Sequence, residues 1–244
     1  MLIKIFPDFA TLSKDAAILI VEELRKKPNL LLCTATGGSP TPTYENLAKA
    51  YQSERELFDT LQIIKLDEWG GVSMSNPQSC EAYLRQHVLT PLQISGDRYV
   101  GFDSQAESPE KEADKINQFL ESRGQIDICV LGLGMNGHIA FNEPAPALQP
   151  YAHVAKLSSE SMQHPMSVAM GETITYGLTL GMANILQSKL ILMLISGKAK
   201  QEIAQQFLSG NITTQLPASF LWLHPNTICL IDEDALGRKC KIVN

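Results

Sequence analysis

What this sequence lacks narrows its class before any motif is read. No stretch approaches 18 consecutive apolar residues, so no membrane-spanning helix is expected. The N-terminal MLIKIFPDFA has no long apolar core followed by a small-residue cleavage site, so no secretory leader is expected either. The five cysteines, at 33, 80, 129, 229 and 240, show no C-x-x-C spacing and mostly sit in or beside apolar runs. They read as reduced core residues, not as a disulfide framework. Basic charge is in deficit: 20 Lys and Arg against 26 Asp and Glu leave a formal charge of −6. Without a basic stripe, nucleic acid is not an expected partner. A soluble cytoplasmic protein follows from these absences. No Pro/Gly/Ser tract, charge block or internal repeat divides the 244 residues, which predicts one domain over 1–244.

Several catalytic signatures are missing too. There is no G-x-x-x-x-G-K-[ST], which argues against nucleoside triphosphate hydrolysis, and no G-x-S-x-G to present a serine nucleophile. No H-E-x-x-H or third ligand accompanies the histidines, so no metal is expected. Gly132-Leu-Gly134-Met-Asn-Gly137 fits G-x-G-x-x-G after an apolar run. A dinucleotide fingerprint, however, needs a helix opening at its third glycine, and Pro144, Pro146 and Pro150 forbid a long one. The glycines therefore frame a catalytic loop in this reading.

What is present is a regular alternation. Leu30 to Thr34, Leu61 to Leu66, Ile126 to Leu131, Leu190 to Ile195 and Thr227 to Ile231 are short apolar runs that read as strands. Between them Thr43 to Ser53, Ser79 to Leu89, Pro109 to Ser122 and Lys198 to Leu208 carry helical spacing. The alternation predicts an α/β fold: a doubly wound, mostly parallel, Rossmann-like sheet with helices on both faces. Ala145 to Gly181 is less periodic, with one strand expected around His153 to Leu157, and is the candidate lid.

In such sheets ligands bind beyond the carboxyl ends of the strands, near the topological switch point. Four segments fall at such ends. Thr36-Gly37-Gly38-Ser39, followed by Thr41 and a helix, offers hydroxyls and backbone N–H groups for a phosphate. Lys200, just past Ser196-Gly197, can reach the same anion as a point charge. Asp67 and Glu68 close a strand as adjacent like charges, which pushes one carboxyl pKa upward and suits it to act as a base near neutral pH. His138 lies on the glycine-rich turn, a natural proton shuttle, with Glu143 five residues on to orient it. An anion cradle beside a carboxylate and a histidine–glutamate pair suits proton shuffling on a phosphorylated sugar.

Ile63-Ile-Lys-Leu-Asp-Glu-Trp69, Leu131-Gly-Leu-Gly-Met-Asn-Gly-His-Ile-Ala-Phe-Asn-Glu-Pro144 and Ala35-Thr-Gly-Gly-Ser-Pro40 resemble the glucosamine-6-phosphate deaminase/isomerase family nearly end to end. Ser196-Gly197 with Lys200, and Pro217-Ala-Ser-Phe-Leu-Trp-Leu-His224, look most like its galactosamine-6-phosphate deaminase/isomerase branch. The resemblance implies an aldose–ketose isomerisation coupled to hydrolytic loss of ammonia, with no organic cofactor and no metal. His138 would open the sugar ring, Asp67 would carry the proton from C2 to C1, and Glu143 would relay or hold protons with His138. Gly37, Gly38, Ser39, Thr41 and Lys200 would bind phosphate, with Thr36, Glu68, Gly134 and Gly137 lining the substrate. The partner implied is a small phosphorylated amino sugar, and a homo-oligomer is left open.

Three departures stand out. Asn136 replaces the aspartate that commonly precedes Gly137. An amide can still hydrogen-bond but cannot raise an imidazole pKa as a charge would, so altered pH dependence is expected. No arginine lies between Leu157 and Met170, where the family supplies one to the phosphate, and His164 is the basic candidate there. No basic patch around Pro146 to Leu157 matches the family's activator site, so little such activation is expected. The rival readings are a 6-phosphogluconolactonase, which shares the Gly-rich turn but usually lacks the Phe141-Asn-Glu-Pro144 pattern, and a non-catalytic sugar-phosphate sensor.

Overall fold

A computed structural model describes residues 1–171 and 174–237; Cys240 lies outside them. The chain begins with a strand and a helix that the sequence reading passed over, β1 (Leu2–Phe6) and α1 (Phe9–Lys26). Their signals were present. The Asp8 side chain accepts the Thr11 N–H at 2.7 Å as an N-cap, and Leu12, Ala16, Ile20 and Leu24 recur every fourth residue on the buried face. Then follow β2 (Leu31–Thr34), α2 (Thr41–Ser53), β3 (Gln62–Lys65), β4 (Asp67–Gly70), α3 (Cys80–Leu84), β5 (Tyr99–Val100), α4 (Pro109–Arg123) and β6 (Ile128–Gly132). The second half holds β7 (His153–Ala155), α5 (Ser159–Met162), α6 (Pro165–Ala169), β8 (Tyr176–Thr179), α7 (Met182–Leu186), β9 (Leu190–Ile195), α8 (Gln201–Leu208), β10 (Thr227–Asp232) and α9 (Glu233–Leu236). The helix expected over Ser79 to Leu89 is α3 continued by a π-helical turn at Arg85–Leu89. The one expected from Lys198 starts as a 3₁₀ turn at Lys198–Lys200 before α8.

Seven strands form one parallel sheet in the order β1-β10-β9-β6-β2-β3-β5. Successive residues of its strands point to opposite faces, and both faces are covered, which is why the strands read as continuous apolar runs. Leu30, Leu32, Ile63, Ile128, Val130, Leu192 and Leu230 pack with α1 and α2 on one side. Leu31, Cys33, Ile64, Cys129, Leu131, Met193 and Ile231 pack with α4, α7 and α8 on the other. After β2 the chain builds outward through β3 to β5, then returns to the other side of β2 with β6, β9 and β10. The switch point therefore lies between β2 and β6.

A second, antiparallel sheet of order β4-β8-β7 was not expected. It corrects the placement of Asp67 and Glu68, which do not close the apolar run ending at Lys65. The chain breaks at Leu66, whose N–H reaches back to Thr34 O at 3.2 Å, and Asp67 opens β4 opposite Thr179. This small sheet walls the carboxyl end of the large one. No helix among the described residues is long and apolar enough to cross a membrane.

The small sheet is fastened at Gly181, just past β8. The carbonyls of Gln149 and Pro150 accept the first N–H groups of α7 at 2.7–3.3 Å, so that backbone lies against Gly181, where a Cβ would fall 2.2 Å from Tyr151 O. Gly181→Ala should therefore cost about 1–3 kcal/mol of overpacking, whereas Gly96→Ala, with nothing within 4 Å of its Cβ, should stay within about 0.5 kcal/mol. Equal urea midpoints for the two variants would refute this packing.

Candidate active site

At the switch point a cavity of about 360 Å³ opens between the ends of β2, β3, β6 and β9, within the size range of small-molecule sites. The structure brings Thr36, Gly37, Gly38, Ser39, Asp67, Gly134, His138, His164 and Lys200 onto its walls. All four strand-end segments contribute. The other five candidates stand behind the wall.

The segment expected to cradle an anion is the turn from β2 into α2. Gly37 takes φ +102°, a conformation that favours glycine, and its carbonyl accepts from the hydroxyls of Thr41 at 2.8 Å and Tyr83 at 2.9 Å. Thr41, expected on the phosphate, is thus set back from the cavity: its hydroxyl is occupied by Gly37 O and, at 2.7 Å, by Tyr83. It fixes the turn at the N-terminus of α2, where the first N–H groups of a helix have no intrahelical partner. Nothing lies within 4 Å of a Cβ placed on Gly38, so the turn is open there. Opposite stands Lys200, whose ammonium donates to Leu133 O; burial lowers its pKa to about 8. His164 completes the ring of donors. Its imidazole lies 3.9 Å from a Cβ placed on Gly37, and burial, then His138 and Lys200, depress its pKa. Lys198 is exposed.

Asp67 sits across the cavity with 8% of its surface exposed. Burial and the neighbouring Glu68 carboxylate raise its pKa to about 7, against the opposing pull of Lys65 and a weak contact from the Cys80 thiol. Glu68, expected to touch substrate, does not. It has no exposed surface, and its carboxylate accepts from Lys65 Nζ at 2.7 Å and from the N–H groups of Trp69, Cys80 and Glu81 at 2.8–2.9 Å. Lys65 is equally buried and also reaches Glu81 at 3.1 Å, which in turn accepts from Tyr99 at 2.5 Å. Glu68 acts on the cavity through its charge, by raising Asp67.

The Gly-rich loop after β6 carries His138. Its ring lies directly over Gly134, where a Cβ would come within 2.4 Å of the imidazole, so glycine is required for the ring to occupy this place. Gly137, behind the wall, turns at φ +85° against Leu216. The loop then docks on the small sheet: Phe141 N–H donates to Thr179 at 3.1 Å and the Asn142 amide to Leu180 O at 2.9 Å. Ala140 is held at φ +52°, strain of the kind found where a loop's path is set by its site. No helix follows, as the prolines dictate. Glu143 is thereby aimed back at His138, with its Oε2 3.3 Å from the ring Nδ1. That pairing is close in charge but poorly aligned as a hydrogen bond, since Nδ1 has no partner of good geometry. Asn136 also stands behind the ring. Its amide donates to Glu143 at 3.0 Å and its carbonyl accepts the His138 N–H at 3.1 Å. Burial works against the Glu143 charge, but His138, Ser161 and Asn136 outweigh it and hold the carboxyl at about 2.

Two serines at the site were not expected from the sequence. Ser158 and Ser161 bond Glu143 from a stretch with no periodicity, and the local sign of them is the serine cap of a short helix. Trp69, which adjoins Asp67 and Glu68 in sequence as a candidate pocket wall, meets Phe141 with ring planes tilted by 51° and centroids 4.5 Å apart, and the two form the apolar wall. Among the described residues no group of three or more His, Cys, Asp or Glu is placed to hold a metal ion.

The elevated pKa of Asp67 has a consequence for folding. Its folded value lies above the unfolded one, near 3.8, so the native chain binds the extra proton between about pH 4 and 7 and loses stability as pH rises through that window. Asp67→Asn should raise the unfolding midpoint at pH 8, where the buried charge costs on the order of 2–4 kcal/mol, and leave it nearly unchanged at pH 4. The same shift at both pH values would show that Asp67 is not a strained carboxylate.

The relatives of this chain fall in one group. The glucosamine-6-phosphate isomerases/6-phosphogluconolactonase family matches residues 8–229. An Escherichia coli protein named "Putative deaminase AgaI" is 38% identical over 92% of this chain and 89% of its own. A glucosamine-6-phosphate deaminase of Bacillus pumilus is 35% identical over 94% and 96%. A solved monomeric glucosamine-6-phosphate deaminase superposes with a TM-score of 0.90 at 34% identity, covering 96% of this chain and 98% of that one. The 6-phosphogluconolactonase of Trypanosoma brucei, at 20% identity and a TM-score of 0.74 over 96% and 97%, shares the fold. The chain belongs to the glucosamine-6-phosphate isomerases/6-phosphogluconolactonase family.

Proposed function

We propose that this protein is an amino-sugar-6-phosphate deaminase that converts a 2-amino-2-deoxyhexose 6-phosphate to the 6-phosphoketose and ammonia, with galactosamine 6-phosphate preferred to glucosamine 6-phosphate. The observation that carries the reading is Asp67, a carboxylate raised to about 7 in the same cavity as a carboxylate-backed histidine and a phosphate cradle. A base with that proton affinity is matched to abstraction beside a carbonyl at neutral pH. The galacto preference is supported by the AgaI-type relative and by the Pro217 to His224 segment.

In this mechanism the phosphate binds the turn of Gly37, Gly38 and Ser39, with Lys200 as the cation and the His164 imidazole as a further donor. Binding there restores the charge that burial takes from Lys200, because a dianion favours the ammonium form. Glu143 keeps the Nδ1 proton of His138, which leaves Nε2 to move the proton that opens the ring. Asp67 takes the C2 proton of the open aldose and returns it at C1, through an enolamine. In that transfer the C1 oxygen gains a proton and the nitrogen gives one up, so the product is a C2 imine with C1 as a hydroxymethyl group. Water adds at C2, the C–N bond breaks, and ammonia leaves with a ketone behind it.

Ammonium release from both sugar phosphates, measured in parallel with 6-phosphogluconolactone hydrolysis, tests the assignment. Release from the galacto sugar should exceed that from the gluco sugar. It should fall by roughly 10²–10⁴-fold in Asp67→Asn, while Lys200→Met should act mainly on KM. Greater release from the gluco sugar would remove the specificity claim, and lactone hydrolysis without ammonium release would remove the deaminase.

A further inference from the structure

Glu143 joins two parts of the chain, the Gly-rich turn and the segment after β7. Its Oε2 faces the Gly-rich turn, with the Asn136 amide at 3.0 Å and His138 Nδ1 at 3.3 Å. Its Oε1 faces the segment after β7, where it accepts the Ser161 hydroxyl and, at 3.3 Å, the Ser158 N–H. Ser158 closes the arrangement, since its hydroxyl accepts from the same Asn136 amide at 3.3 Å and from Ser161 N–H at 3.1 Å. Three hydrogen bonds thus hold the carboxylate, and the remaining acceptor direction of Oε2 faces His138 Nδ1. Ser161 is 3% exposed and lies on the cavity wall beside Gln163, His164 and Met166.

We propose that Ser161 is a positioning residue for the proton relay: through Glu143 it sets the place and tautomer of the His138 ring, with Ser158 in support. The inference rests on the function proposed above. A carboxylate held by only the Asn136 amide is free to rotate about its terminal torsion, which is broad for a glutamate. Ser161 and Ser158 fix that torsion from the far side, so that Oε2 stays on Nδ1. Because Ser161 shares a wall with His164, the same segment that meets the phosphate holds the histidine relay in register. The titratable groups facing Glu143 are His138 from the Gly-rich loop and Glu160 from α5. Neither replaces the hydroxyl as a donor to Oε1, for His138 approaches the other oxygen and Glu160 is itself an acceptor.

The test is Ser161→Ala, with Ser161→Thr as the conservative variant. Ser161→Ala should lower kcat for ammonium release about tenfold with KM within about twofold, and Ser161→Thr should restore most of the loss. Ser158→Ala should have the smaller effect, since its N–H contact survives. A second readout is independent of turnover: the His138 Nδ1 proton, assigned by its disappearance in His138→Gln, should give a downfield NMR resonance that is retained in Ser161→Thr and lost or moved upfield in Ser161→Ala. An unchanged kcat, a loss confined to KM, or a failure of threonine to rescue would overturn the proposal. So would a ring proton indifferent to Ser161. If the unaltered protein released no ammonium, the function proposed above would fail, and the ring proton would still decide whether Ser161 governs His138.

Discussion

Lys65 carries its charge with no exposed surface, between Glu68 at 2.7 Å and Glu81 at 3.1 Å. An unpaired cation there would cost several kcal/mol in desolvation, and removing one partner of such a cluster typically costs about 3–5 kcal/mol. Burial disfavours the ammonium, but the two carboxylates overcome it and hold the Lys65 pKa above its ordinary value. The cluster pins the break between β3 and β4 and seats the first N–H groups of α3 on Glu68. It also leaves Glu68 beside Asp67, where its negative charge joins with burial to raise an ordinary carboxyl toward neutral pH. Fold and reactivity meet at this point: the ion pairs that hold the second sheet against the first also tune the proton affinity of the group facing the cavity.

The same cavity holds two carboxylates with opposite fates. Asp67 is raised to about 7 and Glu143 is held at about 2; burial pushes both upward, and their neighbours decide whether that push is reinforced or overcome. Asp67 has a like charge beside it and only a weak thiol contact at 3.9 Å. Glu143 has His138, Ser161, Asn136 and the Ser158 N–H around it. Carboxylates driven apart in this way suit separate roles: in the proposed mechanism one moves the carbon-bound proton and the other stays ionised to hold the imidazole. Asn136 fits the second role: an amide in place of a charge still orients Glu143 and the loop backbone.

Much of this was legible in the sequence, for local reasons. The strands of the large sheet are covered on both faces, so they announce themselves as apolar runs. The cradle at Thr36 to Ser39 and the loop from Gly132 to Glu143 are contiguous, and their glycines have local causes in the turn at Gly37 and the ring over Gly134. What escaped depends on long-range contacts. Glu68 reads as a substrate ligand because it adjoins Asp67, but β4 alternates, and a neighbour in sequence points the other way. Thr41 carries the right hydroxyl for a phosphate, yet Tyr83, 42 residues on, takes it. Ser161 lies 18 residues beyond Glu143 in a segment without periodicity, and no local pattern could join them.

The central claim is that burial, together with the charge of Glu68, sets Asp67 as the base. The dependence of kcat/KM on pH in the unaltered protein and in Glu68→Gln tests it most directly, because that ratio reports the ionisations of free enzyme and free substrate. The account predicts an acid limb near pH 7 that moves to lower pH in Glu68→Gln, where the like charge is gone and Lys65 pulls less opposed. A limb that stays in place in both proteins would belong to the substrate or to another residue, and would contradict the account.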